Sequence, residues 1–194
     1  MKRVCLLGDS IRLGYQPFVA AALVGRAVVD GPPANCESSR VLRSMLSEWV
    51  RDRPDVVHVN CGLHDVRHDP GAERPNVDIA EYGANVEAIL NDLEALGIRR
   101  IVWASTTPVD EARDGTGPSR RWNADIERYN AVARTLAENH GAAYNDLHEA
   151  VRSHGSSALL HEDGVHLTQQ GYGFVASRVI DAVAQGIVTE QRHD

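Results

Sequence analysis

Cysteine is scarce in this chain and does not form a framework. Cys5, Cys36 and Cys61 make no Cys-x-x-Cys pair. Cys5 and Cys61 lie in apolar stretches, where a free thiol behaves as a small buried hydrophobe. Such usage fits a reducing cytoplasm. Basic charge is also short. Lys+Arg number 20 against 27 Asp+Glu, a net charge of −7, which argues against a general nucleic-acid binder because phosphate binding wants a basic surface. No apolar run approaches the length of a membrane span, so no membrane partner is expected. The apolar part of the N-terminal stretch is too short for a signal peptide, and Asp9 interrupts it. Internal repeats and low-complexity blocks are missing. What remains is an ordinary globular composition, 43% hydrophobic and 24% charged over 194 residues, enough for a single domain across 1–194 with a full core. Glu190 to Asp194 reads as a frayed polar tail. Oligomeric state has no signature in the chain.

Five short apolar runs are spaced as strands: Val4 to Leu7, Ala27 to Val29, Val56 to Asn60, Ile101 to Ser105 and Ala142 to Asn145. Helical patterns alternate with them over Phe18 to Val24, Ser39 to Val50, Ile79 to Leu96, Ala124 to Asn139 and Thr168 to Ala184. Gly97 is placed as a helix C-cap and Thr168 as an N-cap. Strict alternation predicts a parallel sheet covered on both faces. The expected fold is a three-layer α/β/α sandwich with a five-stranded, flavodoxin-like sheet of order 2-1-3-4-5. Thr106 to Arg121 is predicted as a long irregular loop leaving the fourth strand, a position that is usually functional or mobile.

In such sheets ligands bind at the carboxyl ends of the strands, and three segments emerge there. Gly8-Asp9-Ser10 follows the first strand and delivers a hydroxyl. Asn60-Cys61-Gly62-Leu63-His64-Asp65 follows the third. Asp163-Gly164-Val165-His166 precedes the last helix. Asp and His three residues apart on a turn can lie side by side, the carboxylate fixing the imidazole tautomer while the other nitrogen accepts a serine proton. Any one of these segments is weak evidence; their set and order are specific.

Together they make the chain similar to the SGNH, or GDSL-type, hydrolase superfamily. Gly8-Asp9-Ser10 resembles its nucleophile block, Gly62-Leu63-His64-Asp65 its Gly-x-Asn-Asp block, and Asp163-Gly164-Val165-His166 its acid and base block. Tyr129-Asn130 resembles a pair found on a helix in many relatives. The resemblance implies Ser10 as nucleophile, His166 as general base and then acid, and Asp163 as its orienter. It also implies an oxyanion hole. Its donors would be the Ser10 N–H, a backbone N–H in the second block, and a side chain where His64 replaces the family's Asn; a neutral imidazole can donate one hydrogen bond. The second block has no Gly in Asn35-Cys36-Glu37-Ser38-Ser39, and Cys36 is the expected backbone donor.

Arg12, Arg67, Arg120 and Arg121 could gather near the site. Arg12 and Arg67, closest in sequence to the first and third blocks, are taken as substrate-binding candidates for an anionic or polyhydroxylated ligand. Trp122 could stack on a sugar face or anchor a helix. His64 and His68, and His161 with His166, lack the His-Glu-x-x-His arrangement of a helical metal site, so no metal and no cofactor are expected. The expected partner is a small-molecule ester. The expected activity is a serine esterase acting on a short acyl ester of a small polar molecule, such as an acetylated sugar. The alternatives are an acyltransferase or thioesterase on the same triad, or a weakened binding module.

Overall fold

A computed structural model describes residues 1–114 and 119–187. Five strands, β1 (Lys2–Gly8), β2 (Ala27–Asp30), β3 (Val56–Asn60), β4 (Arg100–Ala104) and β5 (Ala143–Asn145), form one sheet in the order β2-β1-β3-β4-β5. Every pairing is parallel. The eight described helices are α1 (Ser10–Ala22), α2 (Ser39–Trp49), α3 (Ile79–Ala95), α4 (Glu111–Asp114), α5 (Asn123–Asn139), α6 (Leu147–His154), α7 (Ser156–Leu159) and α8 (Gln169–Ile187). One face of the sheet carries α1 and α8, with α6 and α7 beside them; the other carries α2, α3 and α5 packed side by side. The result is the three-layer α/β/α sandwich anticipated from the alternation of elements. No described helix is long and apolar enough to cross a membrane.

Central strands covered on both faces bury every side chain, and β3 does so along its whole length. One of those side chains is His58, which lies between the Tyr15 hydroxyl at 3.3 Å and the Asn145 amide at 3.2 Å. Burial lowers its pKa to about 3, so it is a neutral core histidine. Helix ends follow their expected caps. Thr168 Oγ1 accepts from the Gly171 N–H at 3.1 Å, and Gly97, at φ 73°, turns the chain after α3.

Two departures matter for the site. The helix predicted over Phe18 to Val24 overlaps only the end of α1, which starts at Ser10 and stops at Ala22. Asp9 caps that start, accepting from the Ile11 N–H at 2.9 Å. Gly14 and Pro17 interrupt the apolar pattern and hide the first turns. The stretch from Thr106 to Arg121 is not wholly irregular, since it contains α4. Residues 115–118 of that stretch, and the predicted tail at Glu190 to Asp194, lie outside the described residues.

Candidate active site

The three expected segments meet at the carboxyl edge of the sheet. Because α1 starts at Ser10, the serine sits in a helix's first turn, where backbone N–H groups have no intrahelical acceptor. His166 Nε2 lies 2.9 Å from Ser10 Oγ. The other ring nitrogen, Nδ1, lies 2.7 Å from Asp163 Oδ2. The Asp163 carboxylate also accepts from the backbone N–H groups of Val165 and His166, each at 2.9 Å. Burial works against ionisation at Asp163, yet these three hydrogen bonds outweigh it and hold the pKa down at about 2. The carboxylate is therefore charged at neutral pH. Gly164 allows the turn. Its φ is 74°, and a Cβ there would lie 2.7 Å from the Asp110 carbonyl and the Asp114 amide.

The third segment turns away from β3 at Gly62, where φ is 151° and a Cβ would come within 2.0 Å of Thr106 Oγ1. Asp65 then turns inward and caps α2 from outside, accepting from the Ser39 N–H at 3.0 Å and the Ser39 hydroxyl at 2.5 Å. Burial pushes its pKa up to about 6. His64 stays half-buried at the rim. Burial, followed by the nearby Arg121 and Arg67 guanidinia, holds its pKa below the ordinary imidazole range. A neutral ring carries one N–H, as a donor to a developing oxyanion must. Its Nε2 lies 3.5 Å from the Asn35 side-chain amide.

Two of the expected roles are corrected. Arg12 is fully buried, 0% exposed, so it cannot meet a substrate. Its guanidinium donates to the carbonyls of Gly8 at 3.2 Å, Pro32 at 2.8 Å and Ala34 at 2.7 Å, and to Gln16 Oε1 at 2.9 Å. Arg12 is a brace between α1 and the segment after β2. The backbone N–H of Cys36 is already committed, donating to the Gly8 carbonyl at 3.0 Å. The Cys36 sulfur in turn accepts the Gly8 N–H at 3.3 Å. The cause is the shortness of β2. It ends at Asp30, opposite Cys5, so Gly8, paired with Asn60 of β3 on one side, has no strand on the other, and Cys36 fills that gap. Cys36 is thus not the oxyanion donor.

Of the other arginines, Arg67 is half-exposed and pairs with Asp69 at 2.9 Å. Arg121, expected only as one of four arginines near the site, ties it together. Its Nε donates to the Leu63 carbonyl, just before His64, at 2.8 Å, and its Nη1 to Asp114 at 3.0 Å. The same short helix, α4, reaches the acid–base turn, where the Asp110 N–H donates to the Gly164 carbonyl at 2.8 Å. Trp122 is 39% exposed at the start of α5, with the Arg120 guanidinium 5.9 Å from its ring. Tyr129 and Asn130 are structural. The tyrosine hydroxyl donates to the Val77 carbonyl at 2.6 Å, and the Asn130 amide bonds both main-chain groups of Thr106, at 2.8 and 3.0 Å.

Residues 6–174 match the model of the GDSL-like Lipase/Acylhydrolase family. The chain belongs to that family. It is accordingly a serine ester hydrolase of the GDSL type. Solved structures share the fold at low identity. A lipase/acylhydrolase from Enterococcus faecalis is 20% identical with a TM-score of 0.82, over 95% of this chain and 96% of that one. The acetyl xylan esterase AlAXEase is 21% identical with a TM-score of 0.78, over 93% and 99%. A catalytic mutant of the acetylxylan esterase Axe2 from Geobacillus stearothermophilus is 18% identical with a TM-score of 0.75, over 98% and 97%. A comparison with curated protein sequences found no significant match. In this GDSL-type hydrolase the matched range takes in Ser10, His64, Asp163 and His166.

Proposed function

We propose that this hydrolase cleaves short-chain acyl esters of small polar molecules, acetylated sugars foremost, through an acyl-enzyme on Ser10. The observation that carries the reading is the unbroken row Ser10 Oγ, His166, Asp163, with contacts of 2.9 and 2.7 Å. Ser10 Oγ attacks the ester carbonyl as His166 Nε2 takes its proton. Asp163, charged throughout, stabilises the imidazolium. The tetrahedral oxyanion accepts from the Ser10 N–H and from His64. The same His166 proton then passes to the leaving alcohol as the carbon–oxygen bond breaks. A water, deprotonated by His166, attacks the acyl-enzyme, and the acid departs with Ser10 restored.

Exposure favours water as the acceptor. The side chains of His166 and Asp163 are 43% and 44% exposed, so the acyl-enzyme is open to solvent. The sugar preference is supported by two structural neighbours being acetylxylan esterases, by the Arg67 and Arg121 cations beside His64, and by the exposed Trp122 ring. Turnover of p-nitrophenyl esters of increasing chain length, run beside acetylated xylo-oligosaccharides, tests it. Acetate should be the best acyl group and the oligosaccharides should release acetate. A preference for long acyl chains or for thioesters would overturn the substrate assignment.

A further inference from the structure

The geometry points to the side-chain amide of Asn35 as an oxyanion donor, taking the place of the backbone N–H that Cys36 cannot supply. The inference rests on the serine-esterase reading above and adds a catalytic residue to it. Cys36 faces Gly8 with both its N–H and its sulfur, which leaves the second block without its usual donor. The same two bonds place Asn35, the preceding residue, beside the Gly8-Asp9-Ser10 turn. Arg12 holds the approach by bonding the Ala34 carbonyl at 2.7 Å.

The Asn35 amide has a defined direction. Its Oδ1 accepts from the Glu37 N–H at 2.7 Å, so the NH2 group is the end left to point elsewhere. Glu37 itself sits at φ 54°, a left-handed conformation that a Glu adopts only where its surroundings impose it. Asn35 Nδ2 then lies 3.5 Å from His64 Nε2. One oxygen can sit at hydrogen-bond distance, about 2.9 Å, from two nitrogens so separated. When Nε2 carries the imidazole proton, both nitrogens are donors and an oxyanion fits between them. Two side-chain donors thus replace one side chain and one backbone group.

The test separates the donor from the turn. Asn35→Asp keeps an oxygen for the Glu37 N–H and removes the donor; Asn35→Ser keeps a neutral oxygen there on a shorter side chain, whose hydroxyl does not reach as far as the amide NH2. Removal of one oxyanion donor lowers kcat by about one hundred- to one thousandfold. Both variants should show that loss with KM within about threefold of wild type. Affinity for a short alkylboronic acid, which forms a tetrahedral adduct on the serine, should fall in step with kcat/KM. Melting temperature should stay close to wild type. Folded variants that keep both kcat and boronate affinity within about threefold would overturn the assignment while leaving the esterase reading intact. A wild-type protein that neither turns over esters nor binds the boronate would overturn both.

Discussion

The two walls of the site are built by different means. The wall made by Ser10, Asp163 and His166 rests mainly on local geometry, a capped helix start at Asp9 and a four-residue turn through Gly164, with one distant support where the Asp110 N–H bonds the Gly164 carbonyl. The opposite wall, residues 34–38 and 62–67, is held by distant partners. Arg12 bonds three carbonyls there or next to it, Asp65 caps α2, and Arg121 bonds the Leu63 carbonyl. The first wall matches the blocks that the resemblance implies, and the second is where His64 and Cys36 stand in place of the residues it implies. A proton relay fixes distance and atom type together, whereas an oxyanion hole asks only for donors around one point. Different residues can meet that demand if the frame behind them is rigid.

Substitutions should expose this contrast. Ser10→Ala removes the reacting atom and should lower kcat by about one thousandfold or more, with little change in melting temperature, as read by ester turnover and thermal unfolding. The frame of the second wall should respond in stability instead. Arg12→Met leaves buried carbonyls without donors and should cost about 3 kcal/mol or more in a denaturant titration. Arg67→Met, at the solvent edge, should cost under about 1 kcal/mol. Equal costs would erase the distinction between brace and rim.

Within the second wall, His64→Ala should lower kcat by about one hundredfold with KM little changed. His64→Asn should recover part of the loss, and His64→Phe, which fills the space without a donor, should behave like Ala. Wild-type rates in Ala and Phe would make His64 a loop residue.

A smaller effect is expected from the cap of α2. Asp65 and Asp9 are both buried, and burial pushes each pKa up to about 6, against about 4 in an unfolded chain. The folded state thus keeps protons that the unfolded state has released, so these two groups make stability fall as pH rises from about 4 to about 6. Asp163 acts in the opposite sense and lower, its contribution being lost as pH falls from about 4 toward its folded value of about 2. Asp65→Asn should flatten the fall between pH 4 and 6 by up to about 2 kcal/mol, measured as melting temperature against pH. An unchanged slope would show that Asp65 is ionised in the fold.

The same division decides what the sequence discloses. Strand order was readable because central parallel strands are continuous apolar runs, and the meeting of Ser10, His166 and Asp163 because their segments are short and ordered. The second wall was not. Arg12 lies two residues past Ser10, and on a helix that spacing sends side chains to opposite faces. The approach of Cys36 to Gly8 depends on where β2 stops, a matter of pairing rather than composition. Arg121 had no periodic signal at all, since its partners, Leu63 and Asp114, come together only in the fold. The helix from Ser10 was obscured by Gly14 and Pro17, though the Asp9 cap marks its start.

The central claim is that Ser10 carries the acyl group. Acid quenching during turnover of p-nitrophenyl acetate, followed by peptide mass spectrometry, tests it most directly. The account predicts one acetyl group, on Ser10, that disappears as substrate is exhausted and is missing in Ser10→Ala. Steady turnover with no acetyl on Ser10, or turnover retained by Ser10→Ala, would contradict it.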